Sequence, residues 1–166
     1  MSVQLKTFDK AVDMVILLET GGDPVGGYTN DPRDPGGETR WGISKRAFPR
    51  EDIRNLSRER AVELYRTEYW DKLRPDEFVA PLAIVLFDIA VNQGPPTAVR
   101  LLQKACGVAQ DGIMGPNTVA AANRLKDAVA RLSAERAIRY ASTANFDVYA
   151  RGWLRRAFVV ALEAYS

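Results

Sequence analysis

The stretch of the chain richest in chemical possibility is LLETGGDPVGGYTNDPRDPGGETRWGIS, residues 17–44, where an apolar run closes on a glutamate and breaks into a loop of Gly, Pro and Asp. Glu19 ends the run, and Asp31, Asp34 and Thr39 follow in the loop. The chain has no histidine, which removes the Ser-His-Asp and Cys-His hydrolases and the common His-ligated catalytic zinc sites. In a hydrolase of this composition, carboxylates must move the protons. Phe8, Val12, Val15 and Glu19 stand at offsets of 0, 4, 7 and 11. Eleven residues turn about 1,100°, about 20° past three full turns, so Glu19 is expected to continue a buried stripe at a helix C-terminus. Desolvation and the negative end of the helix dipole both disfavour a carboxylate there. A carboxylic acid still protonated near neutral pH is what a general acid for a glycosidic oxygen must be. The plainer alternative is a last-turn glutamate that reaches solvent or pairs with an arginine.

In the loop, Pro32 and Pro35 fix the backbone and Gly36-Gly37 allow tight reversal. A rigid loop bearing Asp31, Asp34 and the Thr39 hydroxyl can position a water or stabilise a positively charged sugar transition state. The same aspartates could instead cap the loop's own backbone. The ligand spacing of an EF-hand calcium loop is absent. Tyr28 and Trp41, both in the loop, are candidates to stack on the apolar faces of sugars, whereas Tyr69, Trp70 and Trp153 sit in helical stripes and read as core. Asp88 and Asn92 lie one turn apart on the most apolar helix, with Gln93 at its end. Buried polar groups need partners, so these residues either line a cleft floor or bind backbone in the core.

The elements that must position these groups are helical nearly throughout. Spacings of three and four predict a helix from Thr7 as N-cap, a second after Ser57, and a third over about Glu77 to Asn92 with Pro81 in its first turns. The third is apolar on nearly all sides and belongs in the centre of a fold. Further helices are predicted from about Thr97 to Cys106 and from Pro116 as first helical residue, and two or more helices fill the rest, including RGWLRRAFVVALEAY. A short hairpin inside residues 26–44 is the only strand structure the pattern allows. A length of 166 residues suggests one domain, large enough to bury a core without staples.

At 46% hydrophobic and 27% charged, the composition is that of a soluble globular protein. No apolar run reaches the roughly 18 residues of a membrane span, and the first residues lack the basic, apolar and small-residue order of a signal peptide. Cys106 reads as a small apolar filler. The net charge of +2 is too small to argue for nucleic acid. Residues 1–99 carry 13 basic and 16 acidic side chains, and 100–166 carry 10 and 5. The basic part could meet an anionic polymer or surface, or form a solvated helix face.

The helix ending in Glu19 and the pattern GGY-x-NDP-x-DPGG-x-T-x-x-GI resemble the N-acetylmuramidases of glycoside hydrolase family 108, which include phage endolysins and secretion-linked bacterial muramidases. Tyr69-Trp70, Phe87-Asp88, Val91-Asn92 and Gly94 follow in the family's order. Leu102-Gln103, Asp111-Gly112, Gly115-Pro116 and Thr118 resemble its associated peptidoglycan-binding segment, and Gly152-Trp153-Leu154 with Arg156 its terminal helix. The family sets its glutamate directly before Gly-Gly-Tyr, whereas TGGDPV separates Glu19 from Gly26-Gly27-Tyr28 here. Glu38 is the only other acidic residue nearby that could take the role.

The resemblance implies a mainly α, lysozyme-like single domain over residues 1–166, with the catalytic motifs in 1–94 and the binding-like helical part in 95–166. It implies cleavage of the β-1,4 bond between N-acetylmuramic acid and N-acetylglucosamine. Glu19 would be the general acid, Asp31 or Asp34 with Thr39 would orient water or stabilise charge, and Tyr28, Trp41, Asp88, Asn92 and Gln93 would meet substrate. No metal or organic cofactor is implied. The expected partner is bacterial peptidoglycan, met by a monomer without nucleic acid or stable membrane insertion, made in the cytoplasm and released to the wall through another protein's pore. A lytic transglycosylase is the close rival, a non-catalytic peptidoglycan-binding module the second, and a basic helical adaptor the third.

Overall fold

The computed structural model describes residues 3–31 and 36–166, so Asp34, Pro32 and Pro35 lie outside the described residues. The first helix, α1, spans Val3–Thr20. It starts before Thr7, which is therefore inside the helix and not its N-cap. Phe8, Ala11, Val12, Val15 and Ile16 form its buried stripe, as the spacing predicts. Two short strands, β1 (Thr39–Arg40) and β2 (Ile43–Ser44), pair antiparallel with Thr39 opposite Ser44. They are the hairpin that the pattern allowed.

Helix α2 (Arg58–Tyr65) opens on Ser57, whose side chain accepts a hydrogen bond from the Arg60 amide and so satisfies one orphan N–H of the first turn. The predicted stripe through Tyr69 does not continue as α-helix. Arg66–Trp70 widens into a π turn, and short 3-10 turns at Asp71–Leu73 and Pro75–Glu77 follow, with Arg74 left-handed between them. These turns deliver the chain to α3 (Ala80–Gln93), which has Pro81 in its first turn.

Every residue of α3 from Leu82 to Ala90 is buried, the outcome expected of a helix apolar all round. Around it pack α1, α4 (Pro95–Cys106), α6 (Ala128–Ala141) and α7 (Phe146–Glu163), while α5 (Pro116–Arg124) packs on α4. Pro116 is at the start of α5, as predicted. Cys106 is partly covered, and burial pushes its thiol up, in keeping with a filler. Among the described residues no helix is long and apolar enough to cross a membrane.

The turn-rich segment between α4 and α5 is closed by one side chain. The buried Gln103 donates from Nε2 to Asp111, to the Ile113 carbonyl and to Thr118, and accepts from the Gly112 amide. The motif residues that resemble a peptidoglycan-binding segment thus bond to one another and hold the loop.

An aromatic cluster sits at the middle of the core. The Phe87 ring meets Trp70 edge-on at 5.3 Å, Phe8 at 6.1 Å and Tyr65 at 6.2 Å. Phe87→Ala should cost about 3–5 kcal/mol of unfolding free energy, through lost transfer energy and the cavity left between α1, α2 and α3. Urea denaturation reads it directly, and a loss under about 1.5 kcal/mol would show that the cluster closes over the gap.

Candidate active site

The end of α1 places Glu19 where three other parts of the chain converge. Arg156, on α7, donates from Nη1 to Glu19 Oε1 at 2.7 Å. The same guanidinium donates from Nε (2.9 Å) and Nη2 (2.7 Å) to Oδ1 of Asp88 on α3. Asp88 is fully buried, and its Oδ2 lies 2.7 Å from Nη1 of Arg136, which is 1% exposed on α6. Arg136 in turn donates from Nε to the Tyr140 hydroxyl, and that hydroxyl donates to Asn92 Oδ1. One polar chain therefore runs from Glu19 through Arg156, Asp88, Arg136 and Tyr140 to Asn92. Burial pulls the Arg156 guanidinium down, but the Asp88 and Glu19 carboxylates outweigh it and hold it above its ordinary range.

Two expectations change here. The Glu19 side chain is 27% exposed and bonded to an arginine, so the alternative of an arginine-paired last-turn glutamate holds, and full burial does not. The buried stripe of α1 ends at Ile16, and Glu19 at the helix end stays partly exposed. Asp88 neither lines an open cleft floor nor binds backbone, since both its oxygens face guanidinium groups. Arginines far along the sequence were the missing partners, and no local spacing pointed to them.

The loop reaches Glu19 through Gly42. A Cβ added to Gly42 would lie 2.7 Å from Glu19 Cγ and 2.4 Å from the Tyr65 hydroxyl, so only glycine lets the hairpin turn settle on the glutamate's stem. Trp41 and Gly42 both have positive φ (55° and 75°), as a two-residue type I′ hairpin turn requires. A left-handed tryptophan costs about 1–3 kcal/mol, and the surroundings hold it there. Its ring lies over Gly26, where a Cβ would come within 2.5 Å, and its Nε1 donates to the Leu56 carbonyl. Trp41 is 8% exposed, so the sugar-stacking role expected of it gives way to that of a strut. The Tyr65 hydroxyl donates to the Trp41 carbonyl. Burial, with the Glu19 charge behind it, pushes that phenol well above its ordinary range, and burial with Glu68 and Glu19 raises Tyr69 as well.

Thr39, three residues from Gly42, pairs with Thr29 through two backbone hydrogen bonds of 2.9 Å, and its hydroxyl donates to the Gly37 carbonyl. Asp31 is partly exposed just beyond that bridge. The six-residue TGGDPV segment doubles back on itself. The Asp23 amide donates to the Thr20 carbonyl, the Val25 amide to Asp23 Oδ1, and the Gly26 amide to the Asp23 carbonyl. Gly27 then lies against Thr20, 3.3 Å from a Cβ position to the Thr20 Cα. The insert is thus spent in a tight turn, and the Gly-Gly-Tyr stretch returns to the residue next to Glu19. Glu38 accepts from the Tyr28 hydroxyl at 2.9 Å, a bond that raises the exposed phenol above its ordinary value. Asn92 is exposed at the end of α3, and Gln93 Oε1 accepts from Arg139 Nε.

Comparison with known proteins bears on the family and the fold. Residues 24–94 match the family described as Glycosyl hydrolase 108, a span that takes in the loop, α2 and α3 and begins just after Glu19. The solved structure of Brucella abortus SagA is 31% identical, superposes with a TM-score of 0.84, and matches over 97% of this chain and 95% of its own. No curated protein sequence matches. The architecture is the expected mainly α, lysozyme-like fold.

Gly42→Ala should cost about 1–3 kcal/mol of stability from strain at positive φ, with further loss as Tyr65 and Glu19 give way. Chemical denaturation measures it; a change within about 0.5 kcal/mol, the range of ordinary surface substitutions, would show that the turn does not bear on Glu19 as described.

Proposed function

Since the chain belongs to the glycosyl hydrolase 108 family and is a glycoside hydrolase that degrades peptidoglycan, we propose that it is an N-acetylmuramidase with Glu19 as its general acid. The observation that carries the reading is the place of Glu19 at the end of α1, partly exposed and with its stem against the Gly42 turn of the Thr39 hairpin.

In this reading the sugar chain runs between the end of α1 and the loop. Arg156 holds Oε1, so Oε2 is the oxygen that delivers a proton to the leaving glycosidic oxygen. As the bond from C1 of N-acetylmuramic acid breaks, positive charge develops on that sugar, and an aspartate of the loop stabilises it or orients the attacking water. Water adds to C1 and gives its proton to the loop carboxylate, leaving a reducing muramic acid end and a free hydroxyl on N-acetylglucosamine. Thr39 steadies the loop and offers a hydroxyl to the water. Asp88 acts at one remove, by fixing the guanidinium that orients Glu19, and Tyr28 offers an exposed ring at the rim. A monomer made in the cytoplasm and released to the wall through another protein's pore, as a phage endolysin is, fits this activity.

Digestion of purified Gram-negative peptidoglycan with mass spectrometry of the products tests the assignment. The wild type should release reducing N-acetylmuramic acid ends, and Glu19→Gln should fall by about 10²–10⁴-fold, the usual worth of a general acid. Anhydro-muramic ends would make the enzyme a transglycosylase, in which the sugar's own hydroxyl replaces water. An active Glu19→Gln protein would remove Glu19 from the chemistry. Asp31→Asn and Asp34→Asn should differ in turnover, because only one of them is expected to face the reacting carbon. Full activity in both would reduce the loop to scaffold.

A further inference from the structure

The far end of the polar chain borders a cavity. A pocket of about 290 Å³ lies between the C-terminus of α3 and the facing sides of α6 and α7, lined by Asn92, Gln93, Arg139, Tyr140, Thr143 and Trp153. No carboxylate lines it. Trp153 stands one turn before Arg156 on α7, and Asn92 one turn after Asp88 on α3. The pocket is therefore displaced by about one helical pitch, roughly 5 Å, from the ion pair that holds Glu19.

Its donors are set for an anionic, amide-bearing ligand. Arg139 donates from Nε to Gln93 Oε1, and among the described residues its two Nη groups make no ion pair, leaving a planar fork that fits a carboxylate. Gln93 Nε2 is buried and, among the described residues, has no hydrogen-bond partner, a costly state for an amide unless a ligand or water relieves it. Asn92 uses its carbonyl oxygen for Tyr140, which leaves its NH₂ as a donor. Tyr140, Trp153 and Tyr149 form a stack with centroids 5.0 and 5.4 Å apart, ending on a Tyr149 ring that is 53% exposed. Arg139 also lines a neighbouring groove of about 480 Å³ that holds Arg100 and Lys104, so the positive surface continues outward. Lys104 pairs with Glu135, which also lines this groove, and Arg100 acts on the Asp111 carboxylate.

Neutral sugar hydroxyls make little use of a guanidinium fork. The part of peptidoglycan that carries both peptide amides and carboxylates is the short peptide hung from the lactyl group of muramic acid. We propose that this pocket receives that peptide stem, with a stem carboxylate on Arg139, stem carbonyls on Gln93 and Asn92, and the stem's apolar parts against Trp153 and Tyr149. The inference rests on the muramidase reading, because it is the muramic acid held at Glu19 that brings its stem to the pocket. The site would make the enzyme prefer wall that still carries its peptides.

Two polymers test this: peptidoglycan with intact stems, and the same glycan after an amidase has removed them. The wild type should show a kcat/KM at least ten-fold higher on the stem-bearing strands. In Arg139→Ala that ratio should collapse towards one, mostly through KM, with Arg139→Lys recovering part of it. Arg139 is exposed, so the variants should fold. A wild type without preference, or an Arg139→Ala protein that keeps the full ratio, overturns the proposal. Sedimentation binding of the Glu19→Gln protein to the same two polymers reads the pocket without turnover. If the wild type cleaves neither polymer, the muramidase reading fails by itself. The stem site then stands if binding favours stem-bearing strands in an Arg139-dependent way, and falls if it does not.

Discussion

A single guanidinium shared by two carboxylates is the contact on which the rest of the structure turns. Arg156 bonds Asp88 through Nε and Nη2 and Glu19 through Nη1. Asp88 is fully buried in the centre of α3, where an unpaired carboxylate would cost several kcal/mol. Its charge obliges α7 to present Arg156 on one side and α6 to present Arg136 on the other. Those two demands set the rotation of both helices against α3. Once Arg156 is so placed, its remaining arm reaches the end of α1, and Glu19 is oriented as a by-product of neutralising Asp88. Such clusters are poor sources of net stability, because desolvation consumes most of the attraction. Their worth here lies in geometry.

The loop is held to the same point by sterics. Gly26 and Gly42 are both places where a single methyl group would collide, with the Trp41 ring in one case and with Tyr65 and Glu19 in the other. Trp41 fills the space between them and is tied at both ends, by its ring nitrogen to Leu56 and by its carbonyl to Tyr65. A strained left-handed tryptophan is a poor choice for a free hairpin and a good one for a turn that must not move. The hairpin is only two residues per strand, too short to be stable without such anchors.

Helices and loop therefore divide the work of a wall-degrading glycoside hydrolase. Packed helices hold the glutamate and its arginine to fixed positions, and the Gly42 turn of the hairpin rests on the glutamate's stem. The basic excess of the C-terminal part is not spread evenly over a solvated face. Arg156 and Arg136 are consumed internally, and Arg139 and Arg100 border the pockets beside the site.

Much of this was legible in the chain itself. The central helix, the helix after Ser57 and the Pro116 start follow from apolar periodicity and local backbone chemistry, which act over a few residues. So does the confinement of strands to residues 26–44. The family's loop pattern and the helix-end position of Glu19 were likewise readable, because glycines and prolines announce a backbone that side chains do not fit. What lay beyond reach depended on contacts between distant segments. The partners of Asp88 are 48 and 68 residues away, and nothing in FDIAVNQG names them. The burial of Trp41 depends on Gly26 and Leu56 closing over it. The exposure of Glu19 is something no stripe of α1 can report, since helical periodicity says which residues share a face, and only the packing of other elements decides whether that face is covered.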